Sequence, residues 1–119
     1  MKRRARLRGR SEFASAIGGR RFHQGRALVG FAVPAAGGED RIGVTVSRQI
    51  KSATDRNRAR RRLREVARAE LLAEDSPLRQ GGIRYDVVLI ARPPILDVPF
   101  AELRAEASQA VVRLANTKP

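Results

Sequence analysis

Residues 41–70 read RIGVTVSRQIKSATDRNRARRRLREVARAE, and they decide the fold because two different periodicities follow one another. Over 41–47, apolar residues alternate with small or polar ones, as in a strand with one buried face. After N-cap candidates within 52–55, the period becomes helical, which predicts a helix running roughly from Thr54 to Glu74. A strand that leads into a long helix indicates a sheet packed against helices.

The same patterns predict the remaining elements on either side of this stretch. A short helix with Ser11 as its N-cap should end at Gly18-Gly19, before strands over 20–24 and 27–33. Downstream, the apolar run Tyr85–Ala91 predicts a central strand, and helical spacing resumes after 97–99. The order α-β-β-β-α-β-α predicts an α/β (α+β) two-layer sandwich on a four-stranded sheet. One sheet face should be apolar, and the other small, polar and open.

Length and charge restrict the function classes. The 119 residues predict a single domain, 1–119, with a basic arm over 1–10 and a frayed tail over 116–119. Lys and Arg number 25 against 12 acidic residues, a net charge of +13. Such an excess opposes compaction and indicates a polyanionic partner. No apolar run is long enough to span a bilayer, so we expect no membrane partner and a cytoplasmic location.

The sequence offers no candidate residues for catalysis by the protein or for metal binding. Cys is absent, which excludes a disulfide framework and Cys-ligated zinc. His23 is the only His, and we expect it to have no partner group. The carboxylates Asp40, Asp55, Asp86 and Asp97 are scattered, without the paired arrangement that nucleases use to hold metals. We therefore predict no catalytic residue and no metal site in the chain.

A helical projection of 54–74 separates its residues into two faces. Ala59, Leu63 and Val66 fall on one stripe, whereas Arg60, Arg61, Arg64 and Arg68 lie broadly opposite, with Arg56, Arg58 and Arg62 on the flanks. A solvated helix face, the alternative interpretation, normally mixes charges, but 56–64 contains no acid, so like charges repel unless a polyanion binds. Neither zipper heptads nor a helix-turn-helix pair accompanies the helix, so we expect no DNA partner. The residues predicted to bind a polyanion, which the resemblance described next implies is RNA, are Arg56, Asn57, Arg58, Arg60, Arg61, Arg62, Arg64 and Arg68.

Residues 56–65, RNRARRRLRE, resemble the Arg-Asn-Arg signature of bacterial ribonuclease P proteins, approximately R-N-x-x-[KR]-R-x-x-R-[EQ]. The strand before the signature, the basic arm followed by Phe13, and the strand before Pro93 are also similar to the family. The resemblance therefore covers nearly the whole chain. Two stretches depart from it: 49–53 reads QIKSA where the family usually has a basic residue and a Gly-Asn-Ala turn, and Ile17 replaces a second aromatic residue.

The resemblance implies a ribonuclease P protein-like fold, which is ribosomal S5 domain 2-like, with a left-handed crossover around the signature helix. The default crossover would be right-handed. It also implies a non-catalytic subunit that binds the catalytic ribonuclease P RNA and the 5′ leader of precursor tRNA. The RNA would remove the leader by metal-dependent cleavage, with Mg²⁺ bound mainly by the RNA. A structural RNA-binding protein of the ribosomal type is the alternative function.

The family's leader site lies in a cleft between the first helix and the open sheet face. The corresponding candidates here are Arg10, Phe13, Ile17, Thr45, Ser47 and Arg48. Phe13 could stack on leader bases or pack in the core, whereas for Phe22 core packing is the favoured interpretation. Thr45, Ser47 and Arg48 could contact leader phosphates, or they could be ordinary residues of an exposed strand.

Overall fold

The elements of the computed structural model follow the predicted order. The structure describes residues 6–7, 9–35, 40–73, 75–80 and 84–116, and the side chains at 9–12 and 79 lie outside that description. The elements are α1 (Gly9–Ile17), β1 (Arg20–Gln24), β2 (Leu28–Pro34), β3 (Arg41–Val46), α2 (Ala53–Glu70), α3 (Pro77–Gln80), β4 (Tyr85–Ala91), a 3-10 turn (Pro93–Leu96) and α4 (Phe100–Ala115). Only α3 and the 3-10 turn were not predicted.

The four strands form one mixed sheet in the order β1-β2-β4-β3. The β1–β2 and β2–β4 pairs are antiparallel, while β3 and β4 are parallel. Parallel neighbours need a crossover connection, and α2 lies within the segment that joins β3 to β4. The predicted α+β class and four-stranded sheet are therefore confirmed, and the left-handed sense of the crossover stays a prediction.

The main core lies between one sheet face and the helices α2 and α4. It is almost wholly aliphatic, as a chain with 4% aromatic residues requires. Burying one such side chain contributes about 1.5–3 kcal/mol to stability. Fully buried members include Leu28, Ile42, Leu63, Leu89, Leu103 and Leu114.

The opposite sheet face differs from the prediction, because it is neither polar throughout nor fully open. Leu7 and α1 cover part of it, and Ala16 is buried there against Val88. The Phe13 ring lies against Gly43, where an added Cβ would be 2.5 Å from Cζ of the ring. The prediction was wrong here because it rested on β3 alone, whereas β2 and β4 present branched aliphatic residues to the same face.

The bounds of α1 and α2 also differ from the predictions. The helix α1 begins at Gly9, so Ser11 lies inside it rather than at its N-cap. The N-cap of α2 is Ser52, whose Oγ accepts a hydrogen bond from the backbone N–H of Asp55 at 3.0 Å. That helix ends at Glu70 rather than Glu74, and its C-cap is the buried Leu71.

Part of the predicted basic arm extends the sheet. Arg6 forms a parallel bridge to Ile42, and the N–H of Leu7 donates to the Ile42 carbonyl at 3.1 Å. Residues 1–5 and 8 of the arm, and 117–119 of the predicted frayed tail, lie outside the described residues. Among the described helices, none is both long and apolar enough to cross a membrane.

Candidate nucleic-acid interface

The outer side of α2 carries the predicted cationic surface. We use the name arginine face for the side chains of Asn57, Arg60, Arg61, Arg64 and Arg68. Arg61, Arg64 and Arg68 are exposed and form no side-chain hydrogen bond or ion pair with the described residues. Arg60 donates from Nη1 to Oδ1 of Asn57 at 3.1 Å. Because the three exposed arginines are spaced three and four residues apart, they lie on one side of the helix.

The buried side of α2 fixes the direction in which this face points. Ala59, Leu63 and Val66 have no exposed surface, as the predicted aliphatic stripe requires. At 100° per residue, the centre of this stripe lies broadly opposite the arginine face. Packing of the stripe against the sheet therefore turns the arginine face outward.

Arg56, in contrast, binds the protein's own backbone. Its Nη1 donates to the carbonyl oxygens of Ser47 at 2.9 Å and Ile50 at 3.0 Å, and Nη2 donates to that of Val46 at 3.3 Å. These carbonyls belong to the end of β3 and the loop that leads into α2. The guanidinium of Arg56 therefore fixes the loop against the first turn of the helix.

Arg58 and Arg62 hold α2 against the connection between β4 and α4. Nη2 of Arg58 donates to the Leu96 carbonyl at 2.8 Å, and Nη2 of Arg62 donates to the Val98 carbonyl. Nε of Arg62 is buried and finds no partner among the described residues. Three of the eight predicted RNA-binding residues thus donate from their guanidinium groups to backbone carbonyls of the protein itself.

The 49–53 stretch departs from the family pattern, but side-chain hydrogen bonds still connect it to the start of α2. Ser52 caps α2, and Arg56 ties the loop carbonyls together, so the connection is ordered without a Gly-Asn-Ala turn. Lys51 is exposed in this loop. The difference from the family pattern at 49–53 therefore alters which side chains lie beside the arginine face. It does not remove the N-cap of α2.

The predicted leader residues fall into two places. Phe13 is half-buried against Gly43, and Thr45 is half-buried two residues further along β3, on the same strand face. Ser47 follows β3, and its Oγ accepts from the N–H of Gln49 at 3.2 Å. Arg48 is exposed beyond it, so these four residues line one edge of the sheet.

Ile17 lies one helical turn after Phe13, at the end of α1 that leads into β1, and 41% of its surface is exposed. The side chain of Arg10 lies outside the described residues. Phe22 packs against the main core over Gly30, which confirms the core interpretation.

His23 has a partner group that the sequence did not reveal. It is buried, and its Nε2 lies 2.9 Å from Oε2 of Glu106 on α4. The Glu106 carboxylate also accepts from the N–H groups of Ala27 at 2.9 Å and Leu28 at 3.1 Å. The expectation of an unpartnered histidine was therefore wrong, because the partner lies 83 residues away in sequence. No local pattern could signal that contact.

The Glu106 contacts change its acidity. Burial raises the pKa of this carboxyl, but the hydrogen bonds from His23, Ala27 and Leu28 outweigh it, so the pKa lies below the ordinary 4.5. A carboxyl with a lowered folded-state pKa stabilises the fold above its unfolded pKa. That stabilisation is lost as the pH falls through the folded-state value.

We expect Glu106→Gln to flatten the acid side of the stability profile. The wild-type free energy of unfolding should decrease more than that of the variant as the pH falls below about 4.5, because only the wild type must protonate this carboxyl. Urea denaturation at several pH values measures the difference. Glu102→Gln, an exposed position on the same helix, should follow the wild-type profile, and identical profiles for Glu106→Gln and wild type would contradict the prediction.

Other carboxylates are paired with arginines. Asp86 accepts a bidentate pair from Arg41, with Nε to Oδ1 at 3.0 Å and Nη2 to Oδ2 at 2.9 Å. Asp40 accepts from Arg84 Nη1 at 3.4 Å. Nowhere in the described part of the chain do three His, Cys, Asp or Glu residues come together as metal ligands. The described residues do not fit a Mg²⁺ site held by the protein, and we assign none.

Comparison with known proteins gives consistent matches. The family model described as Ribonuclease P matches residues 1–115. The Ribonuclease P protein component of Symbiobacterium thermophilum is 40% identical over 114 residues, covering 95% of this chain and 93% of that protein. The protein of the same description from Ruegeria pomeroyi is 37% identical over 116 residues, with 95% and 88% coverage.

Solved structures of RNase P proteins are similar to this chain over nearly its whole length. The RNase P protein from Thermotoga maritima is 25% identical, with 91% of this chain and 96% of that chain covered and a TM-score of 0.71. The Staphylococcus aureus RNase P protein superimposes with a TM-score of 0.70 over 94% and 95% of the two chains. At 21% identity, the second likeness concerns the fold alone.

Proposed function

Because the chain belongs to the ribonuclease P protein family, we propose that its arginine face binds the catalytic RNA, and that Phe13 and the end of β3 bind the 5′ leader of precursor tRNA. The chain is the protein component of ribonuclease P, a ribonucleoprotein endoribonuclease of tRNA 5′ processing. The proposal assigns surfaces of this chain to the two RNA partners, in the cytoplasm where precursor tRNA is made.

The observation that carries the proposal is the exposed triad Arg61, Arg64 and Arg68, whose side chains form no hydrogen bond or ion pair with the described residues. Like charges at this spacing repel by a few tenths of a kcal/mol per pair in the free protein. Phosphates that bind between them would remove the repulsion and release counterions. Guanidinium groups also suit this partner because they match phosphate geometry with two parallel donors.

The arginines that donate to backbone carbonyls support this assignment. Arg56, Arg58 and Arg62 connect α2 to the β3 end and to the β4–α4 connection. A helix held at both of these places keeps its outer face in a fixed orientation before RNA arrives. Such preorganisation lowers the entropy cost of binding.

The leader assignment rests on the mixed exposure of Phe13. Its ring packs on Gly43 and remains half-exposed, so one side can stabilise the fold while exposed ring surface stacks on an unpaired base. Stacking of this kind contributes about 1–3 kcal/mol per base and tolerates sequence variation. Thr45, Ser47 and Arg48 lie further along β3 and its following loop, where they can donate to leader phosphates.

In this proposal, the RNA catalyses the cleavage of the leader. Mg²⁺ held mainly by the RNA would supply the activation of water for phosphodiester hydrolysis. The protein's own residues neutralise and position the two polyanions. A cationic surface between them lowers their repulsion, which reduces the Mg²⁺ concentration needed for their association.

Reconstitution with the ribonuclease P RNA of the same cell tests the proposal. The protein alone should not cleave precursor tRNA, and adding it to the RNA should restore accurate 5′ maturation at low Mg²⁺. Cleavage by the isolated protein would contradict the assignment of chemistry to the RNA. Absence of any effect on RNA-catalysed cleavage would instead favour a structural RNA-binding role of the ribosomal type.

A further inference from the structure

Three polar side chains meet where β1 packs on α4. His23 of β1 is 4% exposed, and its Nε2 lies 2.9 Å from Oε2 of Glu106. Its other ring nitrogen, Nδ1, lies 3.2 Å from Nη1 of Arg113, two helical turns further along α4. We call these three residues the histidine corner. Neither the arginine face nor the candidate leader residues include any of them, so the proposed function gives the corner no role.

The hydrogen-bonding groups of the corner determine which ring nitrogen of His23 carries the proton. A guanidinium has donors and no acceptor, so Nδ1 of His23 must accept from Arg113. A neutral imidazole has one N–H, which therefore lies on Nε2 and donates to the carboxylate of Glu106. The hydrogen bonds thus run in one direction, from Arg113 through His23 to Glu106, and this arrangement requires a neutral ring.

The three side chains differ in how firmly the fold holds them. The carboxylate of Glu106 also accepts from two backbone N–H groups, and an added Cβ at Gly25 would collide with both Glu106 and His23. The ring and the carboxylate therefore have no room to rearrange. Arg113 is exposed in the last turn of α4, so its guanidinium can turn away from the ring.

Protonation of His23 would make the contact with Arg113 unfavourable. The added N–H at Nδ1 would point at a guanidinium N–H 3.2 Å away, which places two donors and two cations against each other. The Nε2–H of His23 would stay bonded to Glu106, because the lowered pKa of that carboxyl keeps it charged at mildly acidic pH. The side chain that can move is Arg113, so we expect Arg113 to leave.

The other charged groups around the corner do not replace Arg113 at Nδ1. Arg92, after β4, donates from Nη1 to the Gly25 carbonyl at 2.6 Å. The strand β2, which pairs with β1, contains no charged residue. The remaining charged side chains nearby on β1, the β1–β2 turn and α4 are exposed: Arg20, Arg21, Arg26 and Glu102.

We propose that the histidine corner is a proton-operated switch, in which neutral His23 holds Arg113 and the end of α4 against β1, and protonated His23 releases Arg113 from β1. The proton binds Nδ1, one hydrogen bond breaks and no covalent bond changes. Imidazole suits such a switch because it is the side chain that ordinarily changes charge between about pH 5 and 8. The switch regulates the docking of α4 and goes beyond the RNA surfaces of the proposed function.

Urea denaturation of the full chain at about pH 8 and about pH 5.5 tests the switch. At the higher pH, Arg113→Met should raise the unfolding equilibrium constant about fivefold, as loss of one hydrogen bond typically does. At the lower pH the wild type has already lost this contact, so the same substitution should change the constant by less than about twofold. The diagnostic quantity is the difference between the two effects, because any other contact of Arg113 contributes to both.

Two further variants separate the switch from a general effect of charge. In a His23→Gln background the side chain can still donate to Glu106 but cannot titrate, so Arg113→Met should have the same effect at both pH values. Arg104 is an exposed arginine of the same helix and donates from Nε to Oε1 of Glu70 at 2.8 Å. Its partner is not a histidine, so Arg104→Met should also have equal effects at the two pH values.

Nitrogen-15 NMR of the wild type tests the mechanism directly. His23 is the only His, so its ring signals need no assignment. At about pH 8 the spectrum should show a single tautomer with the proton on Nε2. As the ring becomes protonated, backbone amides in the last turn of α4 should lose about fivefold in hydrogen-exchange protection, while the amides of β4 keep theirs.

Three results would overturn the inference. They are a tautomer with the proton on Nδ1 at about pH 8, an equal effect of Arg113→Met at both pH values, and a pH-dependent effect of Arg113→Met that persists in the His23→Gln background. If His23→Gln does not fold, the first two measurements still decide the question. None of these experiments contains RNA, so the proposed function stands or fails separately on the reconstitution.

Discussion

Replacing Arg61, Arg64 and Arg68 together with glutamine is expected to make RNA binding much less sensitive to salt. Each lost phosphate contact removes about 0.9 from the log–log salt slope on a duplex, so three remove about 2.7. A wild type with six contacts would lose roughly two-thousandfold in affinity between about 50 and 200 mM salt, and the variant only about fortyfold. At low salt the variant should correspondingly bind more weakly.

The fold of this triple variant should persist. The three side chains are exposed and make no side-chain hydrogen bond or ion pair with the described residues. Their replacement also removes repulsion between like charges along the helix. Titration of the reconstituting RNA at several salt concentrations measures the slope, and circular dichroism with urea denaturation measures the fold. Unfolding of the variant would show that these arginines are structural, and an unchanged slope would place the RNA on another surface.

Arg56→Gln is expected to act in the opposite way, by lowering stability. Its guanidinium donates to the carbonyls of Val46, Ser47 and Ile50, and the shorter glutamine amide cannot reach all three. Hydrogen bonds from charged groups contribute about 1.5–3 kcal/mol, and carbonyls left without partners add to the cost. We expect a loss of about 2–3 kcal/mol in the free energy of unfolding. The corresponding decrease in Tm is on the order of 5–10 °C.

Chemical denaturation of single variants checks this expectation. Arg61→Gln removes the same charge from the same helix and should change stability by less than about 0.5 kcal/mol, as exposed substitutions usually do. Arg56→Lys should rescue little, because an ammonium group lacks the planar, forked donors that bridge several carbonyls. Equal stability of Arg56→Gln and Arg61→Gln would contradict the structural role of Arg56.

Much of the fold and of the arginine face follows from local sequence alone. The order of elements, the strand Tyr85–Ala91 and the opposition of Ala59, Leu63 and Val66 to the exposed arginines were all predictable. Periodicities of 2 and 3.6 residues are properties of the backbone, so a pattern at that spacing determines which side faces the core. The absence of acids over 56–64 is likewise visible without any structure.

Only the tertiary structure decided how the arginines divide their roles. Arg56, Arg58 and Arg62 look like Arg61 and Arg64 in the sequence, yet they donate to carbonyls from neighbouring segments up to 38 residues away. The His23–Glu106 pair and the packing of α1 on the second sheet face depend in the same way on which segments the topology brings together. A backbone carbonyl has no sequence signature, so its partner becomes visible only when the chain has folded around it.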